Sequence, residues 1–203
     1  MSTLSKQAIV ERMNGDETPK NKLLVITPLL SASQVGDASV DVRLGNQFII
    51  FSRHTLKGFE PYKMDPGRLR RMQRRQIVRF GNSFVLHPGM LALGCTFEYV
   101  SIPHDLECQI EGRSSWARLG LQIATANSVE PYFKGVLTLE LSNVGTIPVE
   151  LFPGWRIAQL VFHNAVPSVL KPCAGRKYKC PVGPQFSRVH TDEDGKIFTS
   201  FWQ

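Results

Sequence analysis

Phe84-Val-Leu-His-Pro-Gly-Met-Leu-Ala-Leu-Gly-Cys-Thr-Phe-Glu-Tyr-Val100 sets the texture of the whole chain. Two apolar runs, Phe84–Leu86 and Met90–Val100, meet at a His87-Pro-Gly89 corner. Proline lacks an amide donor and glycine tolerates positive φ, so such a corner ends one strand and starts the next. Upstream, Ser39-Val-Asp-Val-Arg-Leu44 alternates polar and apolar residues, and Gln47–Phe51 is a second strand across a Gly45–Asn46 turn. Downstream lie Leu106–Glu111, Val136–Leu141, Val149–Leu151 and Arg156–His163, with Phe152-Pro-Gly154 as a further corner. Near the start, Leu4, Ala8, Ile9 and Met13 form the apolar stripe of a short helix over about residues 4–14, with Ser2 or Thr3 placed to cap it and Asn14–Gly15 to stop it. Many short strands, Pro-Gly corners and one or two short helices predict an all-β barrel or jelly roll.

A length of 203 residues fits one domain over 1–203, and 42% hydrophobic with 20% charged residues supplies a core and excludes a disordered chain. Lys plus Arg exceed Asp plus Glu to give a net charge of +7, which favours an anionic partner: a nucleotide, a nucleic acid or an acidic membrane surface. No apolar stretch approaches the roughly 18 residues of a membrane span, and Met1–Lys6 leads into an amphipathic pattern rather than a signal-peptide core. A cytoplasmic protein is expected, with no membrane partner. Cys95, Cys108, Cys173 and Cys180 form no C-x-x-C pair, so neither a zinc knuckle nor a redox dithiol is signalled. No functional disulfide is expected in a reducing compartment.

One segment breaks the strand texture. Arg68-Leu-Arg-Arg-Met-Gln-Arg-Arg75 follows Pro66–Gly67 and is read as a solvated helical insertion over about 66–76. The other reading is an arginine patch for phosphates or nucleic acid. No aromatic residues interleave with the arginines, so a stacking platform for single strands is not supported.

Two clusters carry chemistry. Glu111-Gly-Arg-Ser-Ser-Trp-Ala-Arg-Leu-Gly-Leu121 follows a strand and combines guanidinium forks, hydroxyls and turn amides, the groups that hold a polyphosphate. The same residues also fit a plain helix start, with Ser114 as cap and Arg113 on the surface. Further on, Glu140 sits in the apolar strand Val136-Leu-Thr-Leu-Glu-Leu141, where alternation places Thr138 and Glu140 on one face and Leu137, Leu139 and Leu141 on the other. A carboxylate there either reaches solvent or is paired in a pocket, and Arg113 or Arg118 is a candidate partner that would keep it ionised as a general base.

Those clusters resemble the dCTP deaminases of the dUTPase-like superfamily. The resemblance runs in order along most of the chain. It takes in Ala38-Ser-Val-Asp-Val-Arg-Leu-Gly45, Leu86-His-Pro-Gly-Met-Leu-Ala-Leu93, Thr96-Phe-Glu-Tyr-Val-Ser-Ile-Pro103 and the Glu111–Leu121 signature. Gly135-Val-Leu-Thr-Leu-Glu-Leu141, Pro153-Gly-Trp-Arg-Ile-Ala-Gln-Leu-Val-Phe162, Lys177–Tyr178 and Gly183-Pro-Gln-Phe-Ser-Arg188 continue it. The resemblance implies a dUTPase-like distorted β-barrel, a homotrimer with sites between subunits, and dCTP or dUTP as ligand with magnesium carried by the triphosphate. It implies Glu140, Ser114 and Arg118 as catalytic residues. The nucleotide-binding set it implies is Arg113, Ser114, Ser115, Ala117, Arg118, Ala126, Glu130, Thr138, Leu139, Glu140 and Lys177. A C-terminal tail over about 171–203 would close over the nucleotide.

The activity implied is hydrolytic deamination of dCTP to dUTP and ammonia. No metal ligand is expected from protein side chains and no zinc, because the H-x-E and P-C-x-x-C pattern of zinc deaminases is missing. A nucleic acid is not expected as partner. The alternatives are a dUTPase, a bifunctional enzyme making dUMP, or a nucleotide-binding regulator without turnover. The chain departs from the family pattern near the sugar and base. Glu130-Pro-Tyr-Phe133 stands for D-P-G-[WF], the Gly120–Thr125 run is one residue short, and Cys173 and Pro181 replace a tyrosine and a glutamine of the tail.

Overall fold

The computed structural model describes residues 2–52, 58, 60–62, 65–124, 127–166, 177–178 and 180–193. In chain order the elements are α1 (Lys6–Met13), β1 (Val25–Thr27), β2 (Val40–Arg43), β3 (Gln47–Phe51), α2 (Pro66–Arg71), β4 (Gln73–Ile77), β5 (Phe84–Leu86), β6 (Leu91–Ser101) and β7 (Leu106–Gly112). They continue with α3 (Ser114–Ala117), β8 (Leu121–Ala124), β9 (Ser128–Val129), β10 (Lys134–Asn143), β11 (Val149–Leu151) and β12 (Arg156–Asn164). Single 3₁₀ turns occupy Ala32–Gln34 and Val189–Thr191. The all-β expectation holds.

The strands form three antiparallel sheets. A six-stranded sheet runs β4-β3-β6-β10-β8, with β1 added on β6; a four-stranded sheet runs β2-β12-β7-β9; β11 and β5 form a pair. One core joins them. Phe48, Leu139 and Leu141 come from the first sheet, Val42, Leu160 and Phe162 from the second, and Leu86 and Leu151 from the third, each at most 1% exposed. Phe48 and Phe84 stack with ring centroids 4.3 Å apart. β10 buries alternate residues along its length, as the period of two demands.

Three local expectations are corrected. The helix begins at Lys6, not Leu4, and its cap is Ser5, whose Oγ accepts from the Ala8 amide at 3.4 Å. Thr3 instead bridges His163, and the Leu4 amide donates to Phe162 O at 2.9 Å, so the chain ahead of the helix is held extended. The Gly45–Asn46 turn does not close a hairpin: β2 pairs with β12 and β3 with β4 and β6, so the chain changes sheets there. A Cβ on Gly45 would lie 2.9 Å from Cys95 Sγ, and that close approach is what the glycine permits. Finally, the arginine segment is helical only through Arg71; Gln73–Ile77 is an edge strand registered on β3.

Cys95 and Cys108 are buried in this frame. Burial pushes the Cys95 thiol up to about 11 and the Cys108 thiol further still. Because the thiolate is the reactive form, both are expected to resist an aromatic disulfide reagent in the native protein near pH 8. Exposed Cys180 is expected to react at once. Rapid native labelling of Cys95 or Cys108, read by mass spectrometry of peptides, would contradict this packing.

Candidate active site

β7 stays paired with β12 as far as Gly112 opposite Ala158, and the chain then turns out of the sheet. Arg113, with extended φ −75 and ψ 132, is the N-cap of the one-turn helix α3, and Ser114 is its first residue. Ser114 therefore does not cap the helix. It stands exposed beside Ser115, Ala117 and Arg118. Gly120 ends the turn at φ +88, and a Cβ there would lie 2.7 Å from the Gly145 backbone.

Two anchors fix this corner against β12. Trp116 Nε1 donates to Arg156 O at 2.8 Å, and an Arg113 Nη donates to the same carbonyl at 3.3 Å. Asp41 lies between two guanidiniums, 3.4 Å from Arg113 Nε and 3.4 Å from an Arg156 Nη. Beside them opens a cleft of about 500 Å³ lined by Arg43, Arg113, Ser115, Trp116, Leu119, Trp155 and Arg156. Arg43 is held there by Gln34 Oε1 at 3.3 Å and Gly154 O at 2.7 Å. Behind it, the fully buried Glu98 accepts from the Arg43 amide at 2.8 Å and from Gln34 Nε2 at 2.9 Å. Burial raises the Glu98 carboxyl above its usual range, the hydrogen bonds opposing. Three arginines, a hydroxyl and two indoles suit a polyphosphate with an attached ring.

Arg113 and Ser115, expected from the sequence, line this cleft; Arg43, Trp155 and Arg156 in its wall and Asp41 beside it were not expected as site residues. The polar positions of the alternating run Ser39–Leu44 were the only signal for Asp41 and Arg43.

The second half of the site is on β10, in the other large sheet. Thr138 and Glu140 are half-buried on one face, and Leu137, Leu139 and Leu141 point into the core. Leu139 can therefore offer a ligand only its backbone. Glu140 is registered between Leu93 and Ala124. β8 carries the chain directly from α3 to Glu140's neighbouring position. Among the described residues, however, no hydrogen bond or ion pair joins Glu140 to Ser114, Arg113 or Arg118. The expected Arg113 partnership is with Asp41 instead.

Glu130 is exposed on the turn before β10, and Ala126 and Cys173 lie outside the described residues. So do 171–176 and 194–203 of the expected tail. Lys177 is exposed and ion-paired with Asp192, and Arg188 donates to the Lys177 carbonyl while covering the Tyr178 ring at 5.5 Å. The tail from Pro181 to Gln185 returns to β10. Pro181 O accepts from the Val136 amide at 2.8 Å, and the Gln185 amide donates to Thr138 Oγ1 at 3.2 Å.

Tyr132, at the position where the resemblance implies a glycine, has φ +67, a conformation that favours glycine. An L-residue there costs about 1–2 kcal/mol, offset in part by the roughly 0.5–1 kcal/mol of chain entropy that glycine would add to the unfolded state. Its ring is 6.0 Å from that of His104, a loose contact. Tyr132→Gly is expected to leave the urea midpoint unchanged or raise it slightly; a loss above about 1 kcal/mol would show that the ring contact outweighs the strain.

Comparison with known proteins places the chain. The dCTP deaminase-like family model matches residues 3–165, and the chain belongs to that family. It is 42% identical over 197 residues to the dUMP-forming dCTP deaminase of Halobacterium salinarum, covering 94% of this chain and 96% of that one. It is 43% identical to the dCTP deaminase of Halorubrum lacusprofundi, covering 94% and 93%. The dUMP-forming dCTP deaminase of Methanobrevibacter smithii is 37% identical, covering 97% and 100%. Among solved structures, the 2'-deoxycytidine 5'-triphosphate deaminase of Agrobacterium tumefaciens superposes with a TM-score of 0.58 at 24% identity. That match covers 79% of this chain and 47% of the solved one, so the chain spans about half its length; it shows a shared fold. Among the described residues no helix is long and apolar enough to cross a membrane.

Proposed function

We propose that the protein deaminates dCTP by direct hydrolysis. The observation that carries the proposal is a half-buried carboxylate, Glu140, on the polar face of β10, in a chain that also presents an arginine- and serine-bearing corner at α3. Similarity to proteins named dCTP deaminase over nearly the full chain supports it. Glu140 takes a proton from water as its oxygen bonds to C4 of cytosine, and passes it to the amine as the C4–N bond breaks. Water and dCTP become dUTP and ammonia. Ser114 and Arg118 hold the water and the developing charge. Arg113, Ser115 and Lys177 take the phosphates, which requires Lys177 to leave Asp192. Thr138 and the backbone at Leu139 line the base, with Ala117, Ala126 and Glu130 around the nucleotide.

Magnesium arrives with the triphosphate. Among the described residues no three His, Cys, Asp or Glu side chains gather as a cage, and an ion chelated by phosphate oxygens and water needs none. The protein acts as a homotrimer with its sites between subunits, as the resemblance implies.

A second reading is favoured by the names of the Halobacterium and Methanobrevibacter relatives: the same site also cleaves the triphosphate, giving dUMP. Glu130 would then orient a water toward the α-phosphate. One assay tests both readings. Ammonia released from dCTP with dUTP accumulating supports deamination alone; ammonia with pyrophosphate and dUMP supports the bifunctional enzyme. Binding of dCTP with neither product refutes both and leaves a nucleotide-binding regulator.

A further inference from the structure

Arg75 belongs to the arginine-rich segment, for which the reaction gives no role. It lies on the edge strand β4, yet its guanidinium carbon is 5.0 Å from the centroid of the Phe186 ring and an Nη donates to Pro184 O at 3.4 Å. The segment it grips, 181–186, is tied to β10 at both ends: Pro181 O accepts from the Val136 amide at 2.8 Å, and the Gln185 amide, between the two gripped residues, donates to Thr138 Oγ1 at 3.2 Å. In between, Gly183 sits so close to β3 that a Cβ would meet Gln47 Oε1 at 2.6 Å, and Gln185 Nε2 braces Gly183 O at 2.8 Å. The segment is thus a strap running from β10 to β4, on either side of β6 and β3 in the sheet order.

We infer that Arg75 is a positioning residue: its hold on Phe186 and Pro184 keeps the strap seated on Thr138, two residues from Glu140 on the same face of β10. The inference rests on the reading that this face lines the substrate's base. Guanidinium is suited to the task because its plane stacks on the ring while its N–H groups remain free to donate, which an ammonium cannot reproduce. The strap touches the sheet at few points, so removing one anchor shifts its equilibrium toward release without unfolding the barrel.

The test uses the full chain with Arg75→Ala, Arg75→Lys, Phe186→Ala and the Arg75→Ala/Phe186→Ala double variant. Without nucleotide, hydrogen exchange of peptides over 181–187 and 133–137 should quicken about threefold or more in Arg75→Ala, while peptides from β12 stay at parent rates. With dCTP, kcat/KM should fall about three- to thirtyfold, mainly through KM. Phe186→Ala should match that loss, the double variant should not exceed it, and Arg75→Lys should fall in between. Unchanged exchange at 181–187 in Arg75→Ala would overturn the inference, as would fully additive losses in the double variant. A parent protein that releases no ammonia from dCTP would sink the deaminase reading alone, because exchange still decides the strap.

Discussion

Glu140→Gln is expected to lower single-turnover ammonia release from dCTP by about 10²–10⁴-fold, the usual contribution of a general base. Equilibrium binding of dCTP should stay within a few-fold. Gln keeps the shape and a hydrogen-bonding oxygen but not the basic one. The loss then falls on a transition-state interaction rather than on ground-state binding. The fold gives the substitution little to disturb: Glu140 is half-buried on the polar face of β10, while the leucines beside it fill the core. A general base must also be free to exchange protons with water, and no ion pair among the described residues neutralises this carboxylate. If the variant retains more than half the parent rate, Glu140 is merely a solvated strand residue and the proposed chemistry loses its base.

What the sequence made legible follows from how locally each feature is encoded. Phe84–Leu86 and Val149–Leu151 were readable to the residue because each ends at a Pro-Gly corner, His87-Pro-Gly89 and Phe152-Pro-Gly154. Thr138 and Glu140 were placed on their face by alternation alone. By contrast, Gln73-Arg-Arg-Gln-Ile77 carries no apolar period; it is a strand because the edge of Gln47–Phe51 offers it a ladder, and tertiary pairing overrides its polar composition. The Gly45–Asn46 turn resembles a hairpin because turn chemistry is local, whereas the change of sheet there follows from the pairing of β2 with β12 and of β3 with β4 and β6. The α3 corner was visible as a dense polar cluster. Its partners Asp41, Arg43, Trp155 and Arg156 were not, since pairing of β2 with β12 brings them together from distant parts of the chain. The strap was beyond reach for the same reason. Nothing adjacent to Gly183-Pro-Gln-Phe186 announces Arg75 or Thr138.

Gly135→Ala should release the strap more completely than any change at its far end. Gly135 adopts φ +145, and a Cβ added there would lie 2.4 Å from Pro181 Cδ and 2.8 Å from Pro181 N. Neither distance is compatible with a real contact, so one of the two segments must move. β10 is committed by its ladder to β6 from Lys134 to Ser142 and by a second ladder to β8, whereas the strap is held by a few bonds. The strap therefore yields. Its hydrogen bond from the Val136 amide to Pro181 O is lost first, and the adjoining seat of Gln185 on Thr138 loosens with it. Exchange over 181–187 should rise by about tenfold or more, with kcat/KM for dCTP falling by at least as much, because a rigid backbone clash cannot be relieved by a rotamer. The left-handed backbone adds a stability cost of about 1–3 kcal/mol, which a urea titration separates from strap release. The full prediction is a modest shift in midpoint, fast exchange confined to the strap and its β10 contact, and weakened turnover. A variant with parent-like exchange over 181–187 and parent-like kcat/KM would show that the strap does not depend on this glycine.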